Sequence, residues 1–279
     1  MKDAATVAAA ATTEVSAPGK GLLHSIRRYL FSREMALRLV SLIVVGTVWQ
    51  AWGSSNQFFA SYPTQIADAA ARIFFPEILP AFITTLTALA VGLAIATPIG
   101  MALGFAMGRS RLVEVILLPY VNAFYATPRI ALIPILVMWL GIDFNLRITI
   151  VALGAVFPII VNTYSGSRHV DNELLDTGRA FTATPSQILR TIVIPYSSPF
   201  VFAGFRIGIS RGISGVITAE MTAALTGVGR ILISKAKYLS TDELFVGIMT
   251  LGIFSLLLVS ALVRFQHKLT PWALPERRV

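Results

Sequence analysis

The stretch FITTLTALAVGLAIATPIGMALGFAM, Phe82 to Met107, runs for 26 residues without a charged side chain. Roughly 20 apolar residues in a helix are enough to cross the ~30 Å hydrocarbon core of a bilayer. Pro98 and the glycines at 92, 100 and 104 would weaken a helix in water, but spans tolerate them where neighbouring helices press close. The stretch therefore reads as a membrane span, and the rest of the chain has to be read as its surroundings.

Five more segments have the same character: Leu37 to Trp52, Leu112 to Leu140, Leu146 to Tyr164, Pro199 to Met221 and Leu244 to Val263. The second of these carries Pro119, Pro128 and Pro134, so a kink or an unwound stretch is expected within it. Composition agrees, with 55% hydrophobic residues, 13% charged residues and a mean hydropathy of +0.73. The fold class that follows is all-α: a polytopic membrane protein with about six transmembrane helices. Residues 1–30 are Ala/Thr/Ser-rich and read as a disordered cytoplasmic tail. Residues 31–270 form the transmembrane domain, with a long inner loop at 166–195, and 271–279 form a C-terminal tail.

Lysine and arginine set the orientation, because positive residues flanking spans stay cytoplasmic. Fifteen fall on the side holding the termini and the 166–195 loop, against five on the other, with Arg129, Arg206 and Arg211 inside spans. Both termini are thus expected in the cytoplasm of a cell with an inner membrane, and Trp49, Trp52 and Trp139 at outer span ends. The net charge of +9 fits anionic lipid head groups as partners, not nucleic acid. There is no cysteine and only three histidines, which offers no disulfide framework or thiolate metal site. No Gly-rich phosphate loop or HExxH helix is present, so the chain is expected to be non-catalytic and to hold no cofactor. No acidic residue lies centrally in a span, which disfavours proton or sodium coupling.

The inner loop SRHVDNELLDTGRAFTATPSQILRTIVIP, Ser167 to Pro195, is polar yet patterned to fold. Asp171, Asn172 and Glu173 supply a cap and an acidic first turn, after which Leu174, Leu175, Gly178 and Phe181 share a stripe. Thr184 with Gln187 forms a capping box, and Pro185 takes the first helical position. Two short helices at an angle are predicted, suited to docking in a groove of another protein. The plain alternative is a solvated amphipathic connection.

DTGRAFTA followed by IVIP resembles the EAA loop of binding-protein-dependent ABC importer permeases. Asp176, Thr177 and Gly178 stand where that pattern has Glu-Ala-Ala, Thr182 where it has Gly, and Ile192, Ile194 and Pro195 in its closing Ile-x-Leu-Pro. Thr182 departs from the pattern at a position where Gly would turn freely, leaving Thr184 and Pro185 to set the angle. ATPRIALIPILVMWLGID, GAVFPIIVNTYSG and AGFRIGISRGISGVITAEM are similar to the nitrate, taurine and aliphatic-sulfonate branch, and the similarity extends from about Leu79 to Val263. The resemblance implies a type I importer permease fold and an ATPase-coupling face at Leu174 to Thr182, including Arg179, Ala180 and Phe181. It also implies two ATPase subunits that carry the ATP and magnesium, a solute-binding protein and a second copy of the permease.

For the path itself, Arg129, Arg206 and Arg211 are the candidates, since an arginine at mid-span costs about 2.5–3.5 kcal/mol on insertion scales and usually faces a cavity or partner. Guanidinium forks match sulfonate, carboxylate or nitrate oxygens, so the solute leans anionic. Structural readings stand beside this one: Arg206 and Arg211 pairing with Glu220, or Glu220 marking either an outer gate or the edge of water. Asn122, Tyr125, Asn162 and Tyr164 are neutral candidates. Gly227, Gly229 and Ile231 to Ile233 predict a short interfacial helix near the outer mouth. A self-sufficient transporter or channel remains the rival class.

Overall fold

A computed structural model describes residues 33–55, 61–223 and 226–272. The expected N-terminal tail at 1–30, and all but residues 271–272 of the expected C-terminal tail at 271–279, lie outside these residues. Among those described, every regular element is helical. Helix α1 is Arg33–Ser55, α2 Pro63–Ile73, α3 Leu79–Arg109, α4 Arg111–Ala126, α5 Ile133–Leu140, α6 Phe144–Arg168, α7 Asn172–Ala180, α8 Pro185–Ile188, α9 Ile194–Ala223, α10 Gly227–Lys237 and α11 Thr241–Leu269.

Five of the helical stretches are long and apolar enough to cross a membrane, or six if α4 and α5 count as one broken span. The break falls where the prolines predict it. The axis turns by 91° at Thr127–Pro128, because the residue before a proline is pushed out of the helical region, and a short 3₁₀ turn at Arg129–Leu132 leads into α5. One element is not foreseen. Helix α2 starts on Pro63 and buries Ile66, Ala69 and Ile73 against Ile78 and Val246. It is too short and mixed to register as a span, and it runs into α3 through a wide π turn at Phe74–Ile78.

Helix α6 is the spine. On one side α3 lies parallel to it, with Gly92, Gly100, Gly104 and Gly108 set in order against Val151, Ile159, Thr163 and Ser167. On the other side α9 runs antiparallel, with Gly204 against Pro158 and Asn162, Gly208 against Ala155 and Gly212 against Val151. Small residues let helix backbones approach closely, and dispersion then does what the hydrophobic effect cannot do in lipid. Ala88, Leu89, Leu93, Ala96, Val151, Ala155, Ile159, Ile209, Ile213 and Val216 close this three-helix core. Most of α1 is open, with Leu42, Val45 and Val48 exposed, while Trp49 near its end packs on Phe245 and donates to the Ser61 carbonyl.

Gly104 offers a test of this packing, since a Cβ there would sit 2.5 Å from Thr163 Cβ and 2.9 Å from the Ile160 carbonyl oxygen. Gly104→Leu is expected to force α3 and α6 apart and cost about 3 kcal/mol in detergent-solubilised unfolding. Gly46→Leu on α1, with nothing within 4 Å, should fall within about 0.5 kcal/mol of the parent chain.

Candidate functional site

The inner loop folds on its own caps. Asp171 accepts from the Glu173 amide and opens α7, and Thr184 and Gln187 form the reciprocal capping box that opens α8. Between them the chain closes a Schellman motif: the Ala183 amide donates to the Gly178 carbonyl at 3.1 Å and the Thr182 amide to the Arg179 carbonyl at 2.9 Å. Thr182 is the C′ residue of that motif and sits at φ +53°, the left-handed region where glycine is favoured. The departure from the EAA pattern therefore leaves the turn intact and adds strain to it.

The expected docking stripe divides in two. Leu175 and Gly178 point inward, joining Val170, Ile188, Val193 and Ile192 in the loop's own small core, against which Phe105 of α3 packs. Leu174 and Phe181 stay outside at 45% and 81% exposure, with Asp176, Thr177, Arg179, Ala180 and Thr182 also exposed. Asp176 and Arg179 form an i,i+3 ion pair at 2.8 Å. Ile192 supports Gly178 from beneath, and Ile194 and Pro195 open α9.

Within the spans, a cavity of about 330 Å³ opens between the α4–α5 break, α6 and α9. Arg129 and Arg211 both line it, together with Tyr125, Thr127, Ser214 and Thr218. No carboxylate is among the lining residues, and neither arginine has an ion-pair partner among the described residues. Arg129 donates to the Gly154 carbonyl at 3.0 Å, which aims the guanidinium across the cavity floor. Ser210, Ser214, Thr218 and Thr222 follow one another along one face of α9, each hydroxyl donating to the carbonyl four residues back.

The other path candidates lie elsewhere. Arg206 reaches α11, donating to Gln266 at 3.3 Å, and neither it nor Arg211 pairs with Glu220. Asn122 is exposed on α4 away from the cavity, and Asn162 bonds back to the Pro158 carbonyl. Glu220, 2% exposed, does not mark the edge of water. It accepts from the Thr85 hydroxyl at 2.9 Å and the Gly229 amide at 3.0 Å, and Arg147 pairs with it at 3.5 Å without hydrogen-bond alignment. Gly227, at φ +85°, brings the chain so close that a Cβ would overlap this carboxylate. The predicted interfacial helix, α10, is thereby fastened to the core. Its Lys235 bridges Glu77 at 2.9 Å and Glu243 at 2.7 Å; burial disfavours its charge, and the bonds to Glu243 and Glu77 outweigh burial and raise its pKa.

At the opposite end of α6, a second buried carboxylate was not singled out by sequence reasoning. Glu114 accepts from Tyr164 at 2.7 Å and from Arg168 at 2.6 Å and forms an ion pair with Arg111 at 3.0 Å. Thr85, Arg147 and Arg168 are likewise absent from the candidates, and the only signal for any of them was an ionisable or hydroxyl group near a span end.

This arrangement is that of a known class. Residues 96–272 match the model of the family described as the binding-protein-dependent transport system inner membrane component, and the chain belongs to that family. Among its relatives, the taurine transport system permease protein TauC of Escherichia coli K12 is 29% identical over 90% of this chain and 95% of its own length. The nitrate import permease protein NrtB of Synechocystis is 26% identical over 82% and 87%. In three dimensions the chain resembles one from the MetNI methionine ABC transporter in inward-facing form, with a TM-score of 0.53 and 20% identity, over 68% of this chain and 93% of that one. The chain is thus an importer permease of the ABC class, and the rival reading as a self-sufficient transporter or channel is set aside.

The turn at Thr182 offers a local check. Thr182→Gly removes a strained left-handed residue and is expected to stabilise the loop by about 1 kcal/mol, leaving it resistant to trypsin in membranes. Thr182→Pro cannot adopt a positive φ, and cleavage after Arg179 should rise about ten-fold as the Schellman turn, worth on the order of 1 kcal/mol or more, is lost.

Proposed function

We propose that this chain is the path-forming permease of an ATP-driven importer for a small anion, working as a homodimer in the inner membrane with both termini cytoplasmic. Two ATPase subunits dock on the 172–182 face of the inner loop, where Leu174 and Phe181 offer the apolar contacts and Asp176 and Arg179 the charged ones. A solute-binding protein delivers cargo from the other side. The chain itself binds no cofactor, and nucleotide chemistry belongs to the ATPases.

The observation that carries the anion reading is the cavity with two arginines and no carboxylate. Two guanidinium groups facing one space repel each other, and an anion that both can clasp relieves that repulsion while filling their donors. The hydroxyls of Tyr125, Thr127, Ser214 and Thr218 suit the remaining oxygen lone pairs. The names of the relatives, taurine and nitrate permeases, point to solutes of this chemistry: both carry several equivalent anionic oxygens. Alternating access by rocking of the dimer would expose the cavity to each side in turn.

The test is uptake into proteoliposomes by the complex purified through a tag on this chain, with ATP supplied on the side of the ATPases. Radiolabelled taurine, with nitrate as competitor, is the first probe. Arg129→Ala and Arg211→Ala should each lower uptake roughly ten- to a hundred-fold, as loss of a charge-assisted contact worth about 1.5–3 kcal/mol implies, while complex recovery is kept. Equal loss of uptake and assembly would return these arginines to a scaffold role, and undiminished uptake would refute the anion reading.

A further inference from the structure

We infer that Glu114 is the positioning residue through which movement of the inner loop reaches Arg129. The inference rests on the docking role proposed above for that loop. Arg168 is the last residue of α6, and two residues later Val170 enters the loop's own core beside Leu175, Ile188 and Val193. Arg168 and Tyr164, one turn apart at the same helix end, both donate to Glu114. Glu114 lies in the first turn of α4, and α4 ends at Ala126, directly before the Thr127–Arg129 segment that lines the cavity. A helix of 16 residues, with Pro119 inside it, spans about 24 Å. One carboxylate thus joins the base of the loop to the near end of α4, whose far end leads through the Thr127–Pro128 break to Arg129.

The remaining contacts between α4 and α6 are of a different kind. Val113, Leu117 and Val121 meet Ile160, Val156 and Phe157 in an apolar seam, along which side chains can slide past one another because dispersion has little direction. A carboxylate that accepts from Tyr164 and Arg168 has direction, since charge-assisted hydrogen bonds are short and geometrically demanding. Glu114 therefore fixes the register of α4 on α6. Without its charge, Arg111 and Arg168 lose their common partner, and α4 is free to lag when the loop moves.

The absence of cysteine in this chain lets it carry one introduced label, with the complex of the unsubstituted chain, labelled in the same way, as the background control. Spin labels at Arg190→Cys, exposed in the inner loop, and at Ala123→Cys, exposed near the far end of α4, are read in the full complex in lipid nanodiscs, with and without ATP. In the parent chain ATP should change the spectrum at both positions. In Glu114→Gln the response at 190 should persist, while the response at 123 and the taurine moved per ATP hydrolysed should each fall about ten-fold, within the usual range of a coupling interaction. Tyr164→Phe, which keeps both ion pairs, should give a smaller loss of the same kind, and serves alone if Glu114→Gln does not assemble. A full ATP response at 123 in either variant would overturn the inference. No response at 190 in the parent chain would instead bring down the docking role of the loop, and this inference with it.

Discussion

Helix α6 is gripped between two glycine-faced neighbours, and everything else is arranged around that grip. Inside a bilayer there is little apolar surface to hide from water, so helices associate through close backbone approach and directed polar contacts. The glycines of α3 and α9 supply the approach on both flanks of α6. Because α3 runs parallel and α9 antiparallel to it, the arginine-rich ends of all three come together at one side of the bundle. The inner loop grows from that side, between α6 and α9, and inherits its rigidity from them.

The two ends of α6 are pinned by buried carboxylates in opposite ways. At one end Glu220 ties α9 to Thr85 of α3 and to the backbone of α10, with Arg147 beside it and stacked 5.4 Å over Phe144. At the other end Glu114 ties α4 to Tyr164 and Arg168. Removing one partner from such a cluster leaves an uncompensated charge, which is why each acts as a fixed joint. The cavity lies between the two joints, at the place where α4 breaks into α5 and leaves Arg129 facing Arg211. A rigid spine, two joints and a broken helix over a cationic cavity are parts suited to the rigid-body alternating access proposed above.

Much of this was legible in the sequence, for identifiable reasons. Spans are read from local hydropathy, and the proline break from local sterics, so both needed no knowledge of distant contacts. The caps at Asp171 and Thr184 are equally local. What could not be read is the face each polar side chain takes. Arg206 and Arg211 are five residues apart, about 140° around the helix at 3.6 residues per turn, so one meets Gln266 and the other the cavity, and only the packing of α11 and α6 decides which. Glu220 finds Thr85 across 135 residues, a pairing no window contains. Helix α2 was missed because 11 residues with a narrow apolar face resemble neither a span nor a loop, and the docking stripe divided because Ile188 and Ile192 fold back onto α7.

The claim that the inner loop is the site where an ATP-driven engine grips this chain is tested most directly by site-directed cross-linking. A single cysteine at Phe181, 81% exposed at the end of α7, would be treated with a short thiol-to-amine cross-linker in the membranes of cells that make the chain. The account predicts one dominant adduct whose second component is an ABC ATPase, lost when the cysteine is moved to the lipid-facing position of Leu42. An adduct population without any ATPase, under conditions where uptake is active, would contradict it.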